Sequence, residues 1–170
     1  MQGSGGNGPQ DPMTLETLAG KYLAFALGED EYCIETLKIK EIIGMLPIRP
    51  LPQAPDFIKG VINLRGKLMP VTDLRLKFGL PGTAVTERTC IIVVEIERPS
   101  TSLTMGLVVD GVSEVTNIKE EEIEMAPPLG LPEQIDFIAG VAQTGNHVRI
   151  ILNIDRVLGE EQLAALGAML

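Results

Sequence analysis

From Lys21 onward, apolar and polar positions alternate in short runs. Leu23, Phe25 and Leu27 share one face, Gly28-Glu29-Asp30-Glu31 interrupts them, and Tyr32-Cys33-Ile34-Glu35 resumes the pattern. A period of two broken by a polar turn predicts a β-hairpin. Runs of the same kind are Val61–Leu64, Leu68–Val71, Cys90–Ile96, Leu103–Val109, Val112–Val115, Val141–Thr144 and Val148–Leu152. The Asp110-Gly111 pair between two of these runs predicts a tight turn, because such turns need positive φ. Short helices are expected over 73–78 after Thr72 and over 154–158 after Asn153, since both flanking residues are good N-caps. The Ala- and Leu-rich stretch Glu160–Leu166 reads as a terminal helix within the segment 159–170. Many short strands with few helices point to small barrels rather than a parallel sheet wrapped in helices.

Sliding the chain on itself by 80 residues exposes an internal repeat. Pro47, Leu51, Pro52, Asp56-Phe57-Ile58 and Gly60-Val61 meet identical residues at Pro127, Leu131, Pro132, Asp136-Phe137-Ile138 and Gly140-Val141, eight identities in fifteen positions. Ordinary residue usage would give about one. Farther on, Val71, Asp73, Leu74, Phe78 and Gly79 face Ile151, Asn153, Ile154, Leu158 and Gly159. Two such units imply two similar barrels, each marginally stable alone, that fold against each other. The expected division is a tail over 1–15, two intertwined lobes over about 20–82 and 88–158, and the terminal helix. Residues 1–12 hold four Gly and two Pro and cannot anchor a core, so Met13 is a candidate natural start. The tail's Gly3, Gly5 and Gly8 spell G-x-G-x-x-G but lack the strand and helix that make this motif a phosphate cradle.

Charge then separates the two copies. The chain of 170 residues has a formal net charge of −9, yet this is a sum of unlike parts. Within 57–80, Lys59, Arg65, Lys67, Arg75 and Lys77 stand against Asp73 alone. Within 112–136, Glu114, Glu120, Glu121, Glu122, Glu124, Glu133 and Asp136 stand against Lys119. An acidic chain has no electrostatic drive toward nucleic acid or anionic membranes. No apolar run approaches the roughly 18 residues of a spanning helix. The first basic residue is Lys21, so the positive start of a secretory signal is missing. With one His and two Cys, a zinc site built on several such residues is almost excluded, because a tetrahedral site wants four N, S or O ligands and an open catalytic site three. Carboxylate-only metal sites stay open. Cys33 and Cys90 lie in apolar runs without C-x-x-C spacing and read as buried free thiols of a reducing compartment.

What one copy keeps and the other lacks is a candidate for function. Asn63-Leu64-Arg65-Gly66 lies between two strands, with Gly66 suited to a positive-φ turn position, so Arg65 is expected at an exposed hairpin tip. An exposed Arg is either merely solvated or a recognition group, and Arg is enriched among interface hot spots. Glu41, between Ile39 and Ile42-Ile43, poses the same choice: a solvated edge charge or a recognition carboxylate beside an apolar patch. His147 falls on the turn of the second copy with no partner that spacing nominates, and reads as a surface residue. The Lys119–Glu124 run reads as a solvated loop or helix face. Met45, Met69, Met105 and Met125 read as core filler. No nucleophile, acid/base pair or phosphate loop emerges, so a binding module outranks an enzyme.

These residues resemble the chemotaxis coupling proteins, the CheW-like family. The resemblance covers about 20–165 and rests on Y-L-A-F-A-L-G-E-D-E-Y (22–32), L-K-I-K-E-I-I-G (37–44), D-F-I-K-G-V-I-N-L-R-G (56–66), P-V-T-D-L-R-L-K-F (70–78) and V-V-D-G-V-S-E-V (108–115). It implies a mostly all-β fold of two intertwined five-stranded SH3-like barrels with short helices and a C-terminal helix. It implies no catalytic activity, no cofactor and no metal. Such proteins bridge the cytoplasmic tip of methyl-accepting chemoreceptors to the histidine kinase CheA, whose regulatory domain shares the fold, so a cytoplasmic place at receptor arrays is implied. Carried over by position, the receptor-facing groove comprises Ile39, Glu41, Ile42, Gly60, Asn63, Leu64, Arg65 and Gly66, with Val108 from the second lobe. The resemblance assigns no kinase-contact residue. The acidic 119–124 run and the Gly- and Pro-rich tail depart from the family pattern. Two other readings stay open: a coupling protein of a non-flagellar chemosensory pathway, and a small-molecule binder on a barrel scaffold, which predicts a deep pocket with clustered polar groups.

Overall fold

The computed structural model describes residues 14–81, 84–99, 101–125 and 137–169. Residues 1–13 of the tail expected over 1–15, and the second copy's proline-rich connection, lie outside them. The chain runs α1 (Leu15–Leu18), β1 (Gly20–Leu27), β2 (Asp30–Glu35), β3 (Ile39–Gly44), β4 (Ile58–Leu64), β5 (Lys67–Asp73), α2 (Leu74–Lys77), β6 (Cys90–Arg98), β7 (Thr101–Val109), β8 (Gly111–Ile118), β9 (Ile123–Met125), β10 (Ile138–Thr144), β11 (His147–Leu152) and α3 (Glu160–Met169). Among the described residues the strands form two sheets, ordered β8-β1-β2-β11-β10-β9 and β3-β6-β7-β5-β4. The fold is mostly β and SH3-like, with one barrel of six strands where five were expected.

The repeat unit folds alike in both places. β4 pairs with β5, and β10 with β11, each antiparallel with a bulge, at Ile58/Gly60 and at Ile138/Gly140. Each unit is tied off by the same bond: Asp73 N donates to Phe57 O and Asn153 N to Phe137 O, both at 2.7 Å. Asp73 and Asn153 then cap the next turn by accepting from the backbone two residues on, at 2.9 and 3.1 Å. The cap of α2 is therefore Asp73 rather than Thr72, whose buried hydroxyl donates to Met105 sulfur. The second expected short helix is a single 3-10 turn over Ile154–Arg156.

The units exchange their other strands. β5 runs parallel to β7, and β11 parallel to β2, so the second unit completes its sheet with the N-terminal hairpin. Strands β3 to β7 make the five-stranded sheet, while β1, β2 and β8 to β11 make the other. The lobe boundaries drawn from the repeat, 20–82 and 88–158, follow the sequence copies and not the sheets. Arg49 and Val61 exchange two backbone hydrogen bonds of 2.9 Å, which joins the connection after β3 to β4 and closes the five-stranded barrel.

A central apolar cluster lies between the barrels and draws on both, including Phe25, Leu27 and Ile34 from one hairpin and Ile92, Val94 and Leu107 from the other. Smaller clusters fill each barrel. One of them recruits Leu18 of α1, a short helix between the expected tail and β1 that the sequence pattern does not predict. Asp110-Gly111 is not a hairpin turn, because β7 and β8 belong to different sheets and the pair carries the chain from one barrel to the other. Asp110 accepts from Gly28 N at 2.7 Å and pairs with the buried Arg75 at 3.1 Å; Arg75 also holds Asp73 at 2.8 Å. The carboxylate taken as a turn former thus fastens the barrels together.

Candidate functional site

The β4–β5 hairpin is the narrowest possible. β4 ends at Leu64 and β5 begins at Lys67, leaving Arg65 and Gly66 as the two turn residues with φ of +52° and +87°. Two positive φ values are what lets a two-residue turn follow the strand twist. Gly accepts this freely, whereas an Arg in the left-handed region costs about 1 kcal/mol. Asn63 offsets part of that cost by accepting from Gly66 N at 2.8 Å. The tip therefore holds Arg65 in place while its side chain stays 68% exposed.

Across from the tip stands β3. A bulge between Ile39 and Glu41 interrupts its pairing with β6, so that Glu41 lies opposite Val93 and Ile39 opposite Val94. This puts Glu41 on the face of the sheet that lines the barrel and Ile39 on the face that packs into the central cluster. The Arg65 guanidinium pairs with the Glu41 carboxylate across the barrel mouth. An exposed pair of this kind contributes about 1 kcal/mol or less to folding, so stability alone does not account for it. Beneath it is a cleft of about 520 Å³ walled by Leu64, Leu68 and Leu103 and floored by Met69 and Val93. Its far wall is Glu95, which accepts from Ser102 at 2.7 Å and from Thr104 at 3.1 Å and pairs with Lys40 at 3.3 Å. The hydrogen bond from Ser102 is the chief reason the Glu95 carboxyl lies below its ordinary pKa; burial opposes it, and Lys40 and Thr104 add to the lowering.

Of the residues carried over from the sequence, Glu41, Leu64 and Arg65 meet at this cleft. Asn63, Gly66 and Gly60 shape it through the backbone. Gly60 sits at the bulge with φ +141°, where a Cβ would lie 2.0 Å from Arg49 O and wedge the barrel closure apart. Ile42 is on the opposite face from Glu41 and is 43% exposed, beside the mouth rather than within it. Ile39 packs into the central cluster. Val108 belongs to the second lobe by sequence, but its strand β7 completes the same barrel, where it is 2% exposed among Ile62, Met69 and Val93 and supports the floor from inside. Lys40, Lys67, Met69, Glu95, Ser102 and Thr104 line the cleft and were not anticipated as site residues. Met69 had only a core signature, and it is indeed buried while forming the floor.

A second cleft, of about 610 Å³, lies beside α3 and is lined by Lys77, Arg98, Arg156 and Glu160 among others. Arg98 is spent on protein partners there, donating to Asp155 O at 3.0 Å and pairing with Glu160 at 3.6 Å. Among the described residues no group of three or more His, Cys, Asp or Glu could hold a metal ion. Nor is any described helix long and apolar enough to cross a membrane.

Comparison with known proteins agrees with the architecture. The model of the CheW-like domain matches residues 21–162. A "Chemotaxis protein CheW" of Klebsiella aerogenes is 37% identical over 149 residues, covering 88% of this chain and 87% of that protein. "Protein FrzA" of Myxococcus xanthus is 31% identical, over 81% of this chain and 84% of its own. Among solved structures, the "scaffolding protein TtCheW" of Thermoanaerobacter tengcongensis superposes with a TM-score of 0.73 at 33% identity, covering 85% of this chain and 96% of that one.

Proposed function

This chain belongs to the CheW-like domain family, and on that premise we propose that it is a non-catalytic chemotaxis adaptor of the cytoplasm, recruited to membrane receptor arrays. One surface takes the cytoplasmic tip of a methyl-accepting receptor and another the regulatory domain of the histidine kinase CheA. The receptor surface is the mouth of the five-stranded barrel. Glu41, Leu64 and Arg65 make contact there, with Ile42 at its edge and Gly60, Asn63 and Gly66 holding its shape.

The observation that supports this most directly is the Glu41–Arg65 pair spanning an apolar-floored cleft from a strained turn. Strain kept at an exposed tip, where the pair adds little to folding, points to selection for what the tip presents. Lys40, Arg65 and Lys67 face Glu41 and Glu95 around the rim, so the rim can answer a partner carrying both signs of charge. The mechanism is geometric: two partners held on one rigid body, with no bond made or broken.

Titration with a soluble receptor-tip fragment tests the assignment. Arg65→Glu should weaken binding by about 2 kcal/mol or more, over tenfold in Kd, as expected of a hot spot. Glu41→Lys should do the same, and neither should move the thermal unfolding midpoint appreciably. An unchanged titration curve for Arg65→Glu would remove that residue from the site.

A further inference from the structure

The two barrels can be superposed by register alone, which shows what became of the cleft in the second. The offset of 80 residues places Gly145, Asn146, His147, Val148 and Arg149 at the positions of Arg65, Gly66, Lys67, Leu68 and Met69. The parallel neighbours extend the match. Val71 lies opposite Gly106 and Ile151 opposite Cys33, so Glu31 takes the place of Thr104. One strand farther, Val93 and Ala24 correspond, and beyond them Glu41 and Glu114 each pair across a bulge. The acid at the mouth is thus present in both barrels. Two exposed apolar positions recur as well: Ile42 and Leu68 in one barrel, Val115 and Val148 in the other.

The arginine differs. In the five-stranded barrel it stands on the turn, and Met69 leaves the space beneath it open. In the six-stranded barrel the turn position is Gly145 and the arginine occupies the methionine's place, with its side chain only 3% exposed. Its Nε donates to Glu31 at 3.0 Å and its Nη2 to Glu114 at 2.7 Å, so the guanidinium spans the two walls. His147 flanks the same site at 3.5 Å from Glu31, and Ser113 donates to Glu31 at 2.9 Å. A buried guanidinium held by two carboxylates in a barrel mouth is hard to withdraw, because leaving would break two charge-assisted hydrogen bonds at once.

We infer that Arg149 is a specificity-determining plug: by filling the second copy of the cleft it restricts receptor binding to the five-stranded barrel. This rests on the reading that the open cleft takes the receptor tip. It also accounts for the repeated acid and the repeated exposed apolar pair, which mark the closed mouth as a former equal of the open one.

Transplanting the open set tests the idea in the full chain. In a protein whose own cleft is disabled by Arg65→Glu, the substitutions Glu31→Thr, Gly145→Arg, Asn146→Gly and Arg149→Met should restore binding of the receptor-tip fragment to within about tenfold of the parent. The reverse graft, Met69→Arg with Thr104→Glu, should cost more than about tenfold in affinity although Arg65, Ile42 and Leu68 are untouched. Circular dichroism melting establishes which variants are folded. A folded transplant that does not bind, or a folded reverse graft that binds like the parent, overturns the plug. So does failure of both to fold, since the positions would then not be interchangeable. A parent that does not bind the fragment overturns the receptor assignment and this inference with it, an outcome visible before any graft is made.

Discussion

Arg65, Arg75 and Arg149 are chemically identical side chains in three environments, and the environment sets what each can do. Arg75 is buried against Asp73 and Asp110, and Arg149 against Glu31 and Glu114, so both belong to the fold; Arg65 is mostly in water. The difference reaches the acids. Burial raises the Glu31 pKa, but hydrogen bonds from Ser113 and Arg149, with the Arg149 charge, outweigh it and hold the carboxyl below its ordinary value. A carboxyl depressed in the folded state contributes stability that is present above the unfolded pKa, about 4.3, and lost as pH falls through the folded pKa. Thermal midpoints should therefore drop as pH is lowered from about 5 toward 3. Ser113→Ala, which removes one of the bonds, should make that acid loss shallower. Identical acid slopes for the two proteins would show that Glu31 is not the group responsible. Cys33 shows the opposite balance, with burial pushing its thiol up to about 12 and leaving it inert.

At the scale of elements, the two bulged strand pairs are near copies under unequal constraint. A Cβ on Gly60 would lie 2.0 Å from Arg49 O at a φ of +141°, whereas one on Gly140 would lie 2.8 Å from Glu124 O. Gly60→Ala should cost about 2 kcal/mol or more and clearly exceed Gly140→Ala. Chemical denaturation midpoints of the two variants decide it, and equal losses would mean the barrel closure at Arg49 is not rigid. The elements that the sequence pattern missed have a common cause. β3 was not recognised because the bulge at Lys40 breaks its period of two. β9 is three residues after a 3-10 turn, too short to show any period within the acidic run read as a loop or helix face.

For the whole molecule, the exchange of strands between copies makes the barrels interdependent. Their shared cluster is buttressed by Arg75–Asp110 and by Lys38, which bridges Glu97 at 3.1 Å and Asp155 at 2.8 Å. Neither barrel retains its full apolar contacts without the other, so calorimetry should show one transition coincident with the loss of circular dichroism. Two resolved transitions would mean that the barrels unfold separately. The sequence by itself determined the strands other than β3 and β9, the repeat, the family resemblance and the exposed Arg65 tip, because each is written in neighbouring residues or in a fixed offset. It could not determine which hairpin completes which barrel, and so misread Asp110 as a turn former and did not show that Val108, though in the second copy, folds into the barrel that carries Arg65. Nor could it separate Met69 from Arg149 as floor and plug. Those depend on pairings between strands far apart in the chain, where burial and the nearest partner, not residue type, decide what a side chain does.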